Sequence, residues 1–412
     1  MAAAVGAIKN GASVFLAEGL SCLGGAGTAA LVPMFVELSD GVNFLAGGFG
    51  WDIFEKLKAA GGTGDSWYGY SLAINSEIYK RVCDEILIEN EVDFTLSTSL
   101  IGVIKDGSKV TEAVLSAKSG IFAIEAKQFI DATGDGDLSA MAGADFELGD
   151  ENGEMQPGSL CSQWTGIDWS KVDLSKQEPA MIKALEDGAM TVYDRHFPGG
   201  WQTSKCTMGL NGGHAHDLDA TDERSLTKAY VYLRKRMPEY ENFYKKYMEG
   251  FENIELVNTA MLMGIRETRR IKCDYQLNLQ DFHDRAVFDD EIGRFSYAVD
   301  MHRKATDKEE YEKFEKDFKE NLRYKPGENY GIPYRTLTVS GFDNLLVAGR
   351  CISVDRYIQA SIRVMPGCFI TGQAVGIAAA LAVKNNTHTR GVPVKDIQQK
   401  IKDIGGFLPN FK

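Results

Sequence analysis

The sequence predicts an α/β fold in which one parallel sheet is assembled from both ends of the chain, with a second domain inserted between them. Three segments carry this prediction. They are SVFLAEG at residues 13–19, FIDATGDGDL at 129–138 and NLLVAGRCIS at 344–353. Each is an apolar strand that runs into an acidic residue or a glycine turn, the grammar of a parallel sheet with a ligand at the strand ends. At 412 residues, 44% hydrophobic and 25% charged, the chain is ordinarily globular and long enough for two domains.

The elements follow in order. Residues 1–11 read as an Ala-rich helix stopped by Asn10-Gly11. SVFLA suits a buried parallel strand, and a Gly-rich stretch from Leu23 to Thr28 follows it. Residues 51–60 and 75–89 read as helices. Between 92 and 130, short β runs turn at Asp106-Gly107 and Ser119-Gly120, the pattern of a small antiparallel meander. From about 150 to 330 the texture changes. Charged helical stretches at 221–247 and 305–322 are separated by Gly- and Pro-rich loops such as 198–200 and 209–213. Residues 344–349 return to a strand and glycine turn, and 367–384 form a Gly/Ala-rich helix whose small residues allow close packing. The expected organisation is a discontinuous nucleotide-binding domain at 1–50, 75–150 and 335–412, with an α+β substrate or cap domain at 151–334.

Bulk properties exclude some functions. The net charge is −13 and the pI about 5.1, so nucleic acids and anionic membranes are not expected partners. Seven scattered cysteines without a CxxC pair read as reduced thiols of a cytoplasmic protein. The apolar N-terminus lacks a basic n-region and is interrupted by Lys9, and no run of eighteen apolar residues occurs. Neither a signal peptide nor a membrane span is therefore expected. The expected partner is a small-molecule substrate; the electron partner and homo-oligomerisation are left open.

Several residues could carry chemistry. Glu18 ends a strand, where a carboxylate can accept hydrogen bonds from ribose hydroxyls; the alternative is a plain surface glutamate. Gly134 and Gly136 let backbone approach a ligand, and Asp135 and Asp137 could bind ribityl or ribose hydroxyls. Their alternation is similar to a calcium loop, but the glutamate at the twelfth position is missing, so no metal is expected. A helix starting at Pro366-Gly367 would aim free N–H groups at an electron-rich ligand edge.

In Arg266-Glu-Thr-Arg-Arg270, a helix would put Arg266 and Arg270 on one face. From there they could reach a substrate carboxylate or hydroxyl, or form structural pairs with Glu267. His302 ends a strand-like run from Tyr297 and is either a catalytic or an ordinary histidine. His214 and His216 alternate on a glycine loop; with no third ligand, a substrate-lining role is favoured over a metal. Tyr334 and Arg335 could line a pocket between domains. Cys22 lacks the second thiol of a dithiol mechanism, and Cys351 and Cys368 read as small packing residues.

The order E-x(4)-LGG-x-x-T, FIDATGDGDLSAMAGADFELG, MGIRETRRI, IPYRTL and NLLVAGRCIS…SIRVMP-x-C…GQAVGIAAALA covers nearly the whole chain. It resembles the FAD-dependent oxidoreductase family distantly related to fumarate reductase flavoproteins. The resemblance implies a Rossmann-like FAD-binding domain with a parallel sheet and β-meander, plus an inserted α+β substrate domain. It implies FAD held near Glu18, Gly24, Gly25, Thr28, Thr133, Gly134, Asp135, Gly349, Arg350 and Arg363. It also adds weight to His302, through a pattern of a Tyr, an Asp and a His in the inserted domain. The activity it implies is hydride transfer between flavin and a small hydroxylated or carboxylated substrate, with Arg266, His302 and Arg363 nearby. For a flavin, the helix N-terminus would face the N1/O2 side of the ring.

A GxGxxG loop belongs ~20 residues before the ribose carboxylate. Counting back from Glu18 runs off the chain, and Gly6 and Gly11 are no substitute because no strand precedes them. Either Met1 is an internal methionine taken as the start or the chain is truncated, and weak or no FAD retention is expected. Two alternatives remain. One is a non-catalytic flavoprotein-fold remnant that has lost FAD. The other is a nicotinamide dehydrogenase, disfavoured by ATGDGDL after a meander and by a second ligand helix near the C-terminus.

Overall fold

The computed structural model describes residues 1–68, 71–191, 199–302 and 308–411. Pro198 of the 198–200 loop and residues 305–307 of the charged stretch lie outside the described residues. Helix α1 (Ala2–Ile8) is built largely from alanine, the best helix former. It stops where the Asn10 side chain donates to the Gly6 carbonyl at 2.8 Å and Gly11 takes φ +86°. Strand β1 (Phe15–Ala17) follows. Helix α2 (Phe49–Ala59) buries Phe49, Ile53 and Leu57 at helical spacing, and α3 (Ser76–Glu89) opens on Asn75, whose side chain accepts from the Glu77 and Ile78 amides. The chain then returns as β2 (Asp93–Thr95), parallel to β1.

Strands β3 (Ser99–Asp106), β4 (Lys109–Ala117) and β5 (Gly120–Glu125) form the expected antiparallel meander. Strand β6 (Phe129–Asp131) then pairs in parallel with a strand near the other end of the chain, Phe129 to Asp131 lying opposite Leu345 to Val347. Both ends therefore meet, as expected. The parallel strands nevertheless form two separate two-stranded pairs rather than one continuous sheet among the described residues.

Strand β7 (Phe146–Leu148) leads into the middle of the chain. There β8 (Ser162–Thr165), β9 (Gly200–Gln202), β10 (Met208–Leu210) and β11 (Glu255–Thr259) form a four-stranded antiparallel sheet in the order β9-β10-β8-β11. The long helix α4 (Glu223–Tyr247) covers it, burying Leu233, Met237, Tyr240 and Tyr244 along one stripe. Trp164, Met208 and Phe251 complete this core.

The arginine cluster is not helical. Strand β12 (Arg269–Ile271) pairs antiparallel with β7, and Arg266 lies in the preceding loop. The cause is Glu267, whose fully buried carboxylate takes hydrogen bonds from Arg270, Arg356 and the Gln156 amide. Satisfying a buried charge from three segments outweighs local helix propensity.

Strands β13 (Glu291–Phe295) and β14 (Tyr330–Pro333) pair antiparallel. The strand-like run from Tyr297 to His302 leaves that ladder. The Ser361 hydroxyl donates to the Tyr297 carbonyl and Arg363 to the Asp300 carbonyl, so side chains replace a neighbouring strand. Helix α5 (Lys308–Asn321) occupies the second charged stretch.

The chain ends with β15 (Leu345–Val347), α6 (Arg356–Ile362), α7 (Met365–Lys384) and α8 (Val394–Asp403). By length and composition α7 could cross a membrane, but 89% of its apolar window is buried, so it is the core helix of the fold. It packs with β6 and β15 in a core that also takes Ile271, Phe282, Phe295 and Tyr330 from the middle of the chain. Residues 151–334 thus contribute to two cores.

Candidate active site

The strand ends converge on one cavity of about 2240 Å³, more than twice the ~1,000 Å³ upper range of small-molecule pockets. Glu18, Gly24 and Gly25 line it on the β1 side. The Glu18 amide extends the β1–β2 ladder to the Thr95 carbonyl, and its carboxylate accepts from the Leu20 amide at 3.0 Å. Gly24 has φ +93°, and a Cβ there would meet Thr28 at 2.7 Å. Thr28 itself is fully buried, donates to the Leu23 carbonyl, and lies beside a smaller separate hollow. Its role in the turn is to hold the Gly24 loop.

Thr133, Gly134 and Asp135 line the cavity at the end of β6. Their turn is organised by the buried Asp131 carboxylate, which accepts from the Thr133 amide (3.1 Å), the Thr133 hydroxyl (2.7 Å) and the Ser139 amide (2.8 Å). Gly349 and Arg350 line the facing turn after β15, where the Gly349 amide donates to Thr371 at 3.1 Å. Asp135 and Arg350 pair with each other at 2.7 Å, and Thr268 bridges them. Next to them, burial and the Asp135 charge raise the Asp137 carboxyl above its ordinary range, against the pull of Arg269.

The far end is lined by Arg266 and Arg363. Arg266 donates to the Pro157 carbonyl (2.8 Å) and the Ser159 hydroxyl (2.9 Å). Arg363 reaches the Asp300 carboxylate at 3.3 Å, and His302 and Tyr297 each lie 3.0 Å from the same oxygen. Burial, then the Asp300 charge, holds the Tyr297 phenol protonated by raising it well above its usual range. Gln156 accepts from the His302 amide and donates to Gln359, a buried pair linking this end to α6. His302 does not itself line the cavity; it stands behind Arg363.

Cys368 lines the cavity, but burial pushes its thiol up to about 11 and keeps it protonated. Tyr334 is buried and donates to the Thr389 carbonyl, while Arg335 pairs with Asp290; neither reaches the cavity. Asp131, Asp300 and Gln156 are the site-forming residues that single-residue reading misses. Asp300 was visible only as part of the Tyr, Asp and His pattern, whereas nothing local distinguishes Asp131 or Gln156.

Parallel strand pairs, a meander and glycine turns around a long cavity define a mixed α/β protein. A family model described as FAD dependent oxidoreductase matches residues 1–401, and the chain belongs to that family. It is an enzyme of the oxidoreductase class with FAD as its cofactor. Similar solved structures include a geranylgeranyl bacteriochlorophyll reductase-like protein of Thermoplasma acidophilum, at 12% identity over 98% of this chain and 79% of that one, TM-score 0.43. Others are p-nitrophenol 4-monooxygenase of Pseudomonas putida (12% identity, 98% and 81% covered, TM-score 0.45) and a flavin-dependent brominase (13% identity, 98% and 79% covered, TM-score 0.45). No curated protein sequence matches the chain.

Proposed function

We propose that the chain transfers hydride between FAD bound in this cavity and a small hydroxylated or carboxylated substrate. The observation that carries the reading is a single cavity running from Glu18, past the Gly134 and Gly349 turns, to Arg266 and Arg363. The residues fit a dinucleotide at both ends. Glu18 offers a carboxylate where ribose hydroxyls would donate. Arg363 Nε is buried without a hydrogen-bond partner among the described residues, a donor that a ligand acceptor would satisfy.

When bound, FAD supplies the ring that accepts or gives up hydride. The Thr133–Gly134 and Gly349 turns would let backbone approach its phosphate and ribityl groups, and the N-terminal turn of α7 would face the ring edge. Arg266 would orient a substrate oxygen, and His302, backed by Asp300, would hold or move a proton. Because the cavity is wide, FAD should be held weakly and restored by adding it.

Titration of FAD, followed by flavin fluorescence, tests the reading. Glu18→Ala should weaken binding by about tenfold, the worth of one charge-assisted hydrogen bond. A titration without saturation, or an unchanged affinity in Glu18→Ala, would defeat it. Anaerobic bleaching of the flavin by candidate substrates then reports hydride transfer directly.

A further inference from the structure

The two parallel strand pairs each keep one edge open, and both open edges face the same cavity. On β1 the Glu18 amide donates to the Thr95 carbonyl, and the Glu18 carbonyl accepts from the Thr98 amide, both at 2.9 Å. Backbone groups alternate sides along a strand, so Leu16 and Glu18 face β2 while Phe15 and Ala17 face away from it. On β6 the Phe129 amide donates to the Asn344 carbonyl at 2.8 Å, and the Asp131 carbonyl accepts from the Ala348 amide at 3.0 Å. Phe129 and Asp131 therefore face β15, and Ile130 faces away. Phe15, Ala17 and Ile130 all line the cavity, and neither strand has a second neighbour in its sheet among the described residues.

Strands of parallel sheets ordinarily bury both faces, yet Phe15 and Leu16 are half-buried and Ala17 is exposed. Backbone N–H and C=O groups inside a protein need partners. In the same wall, Gln128 Oε1 is buried without a hydrogen-bond partner among the described residues. A ligand at the ~1,000 Å³ upper range of small-molecule pockets would leave more than half of the 2240 Å³ unfilled.

The route into this slot is set by α1. Burial lowers the pKa of the Met1 amino group, against the charges of Cys83 and Glu18. Helix α1 thus begins at the Glu18 end of β1 and runs back toward its other end. A strand that ended near Glu18, turned into α1 and returned as β1 would make a strand–helix–strand crossover, the connection that joins parallel neighbours.

We propose that the slot between β1 and β6 is a strand-acceptor site, and that its occupant is one further parallel strand joined through a glycine turn to the start of α1. About five small or β-branched residues fill it. Their amides and carbonyls meet Phe15 and Ala17 on one side and Ile130 on the other, which merges the two pairs into a single sheet. The glycine turn falls beside Glu18 and Gly134 and completes the wall of the FAD site, a consequence that rests on the flavin reading above.

Three chains test this. One is 1–412 as it stands, and the second carries Val-Ile-Val-Val-Gly-Gly-Gly ahead of Met1. The third has proline in place of the middle valine of that extension, because proline donates no hydrogen bond and is excluded from central strands. Amide hydrogen exchange needs no FAD. The Phe15, Ala17 and Ile130 amides should exchange fast in 1–412, slow by about 100-fold or more in the extended chain, and stay fast in the proline chain. Equal exchange in 1–412 and the extended chain overturns the slot, as does equal slowing by the proline chain. Protection in 1–412 that disappears on dilution means that a second copy fills the slot, and overturns the occupant. FAD titration is the second readout: the extended chain should bind about tenfold or more tightly than 1–412, and the proline chain should not. Protected amides with no FAD binding would support the slot and defeat the flavin reading. Equal FAD binding by all three chains with unchanged exchange would overturn the slot and leave the flavin reading intact.

Discussion

Replacing Gly376 with alanine should destabilise this protein, although the same change in most helices stabilises them. Gly376 lies on α7 where α1 crosses it, and a Cβ there would sit 2.0 Å from the Ala3 carbonyl oxygen. A carbon and a carbonyl oxygen approach to about 3.3 Å, so the helices must move apart by roughly 1.3 Å. The reciprocal contact is also tight, since a Cβ at Gly6 would meet the Gln373 carbonyl oxygen at 2.7 Å. Overpacking against backbone costs about 3 kcal/mol, and the gain in helix propensity returns about 1 kcal/mol, leaving a net loss of about 2 kcal/mol. Urea denaturation followed by circular dichroism measures it, and hydrogen exchange over residues 2–8 should speed up. Stability equal to or above that of the parent chain would refute the close crossing. Because α1 also lines the cavity, the cavity wall would then need redrawing.

Three further perturbations have defined outcomes. Glu267→Ala leaves Arg270 and Arg356 without their shared buried carboxylate and should cost about 3–5 kcal/mol in urea unfolding; a loss below 1 kcal/mol would contradict the pairing. Burial raises the Glu37 carboxyl from 4.5 to about 7, against the Ser296 hydrogen bond, so the folded state binds its proton more tightly than the unfolded chain does. Its contribution is fully present below pH 4.5 and is lost as pH rises through about 7, by about 3 kcal/mol. Glu37→Gln should flatten that part of the stability–pH curve, and an unchanged slope would remove the assignment. Asp131→Ala strips the acceptor from two backbone amides and the Thr133 hydroxyl; it should cost about 2–4 kcal/mol and weaken FAD in titration, and unchanged affinity would uncouple the turn from the cofactor.

Local pattern was enough to read much of this protein. Alanine content marked α1, alternation and Asp-Gly turns marked the meander, and strand-then-glycine segments marked the three turns that line the cavity. These features depend on neighbours within a few residues, which is the range over which sequence periodicity carries information. The tertiary structure decided what depends on distant partners. It drew Arg269–Ile271 into a strand because the buried Glu267 charge needed donors from three segments. It separated the parallel strands into two pairs. It paired Asp135 with Arg350 and brought His214 against His302, 88 positions further along the sequence. A histidine's chemistry is set by which nitrogen faces which partner, and only the folded chain brings that partner to it.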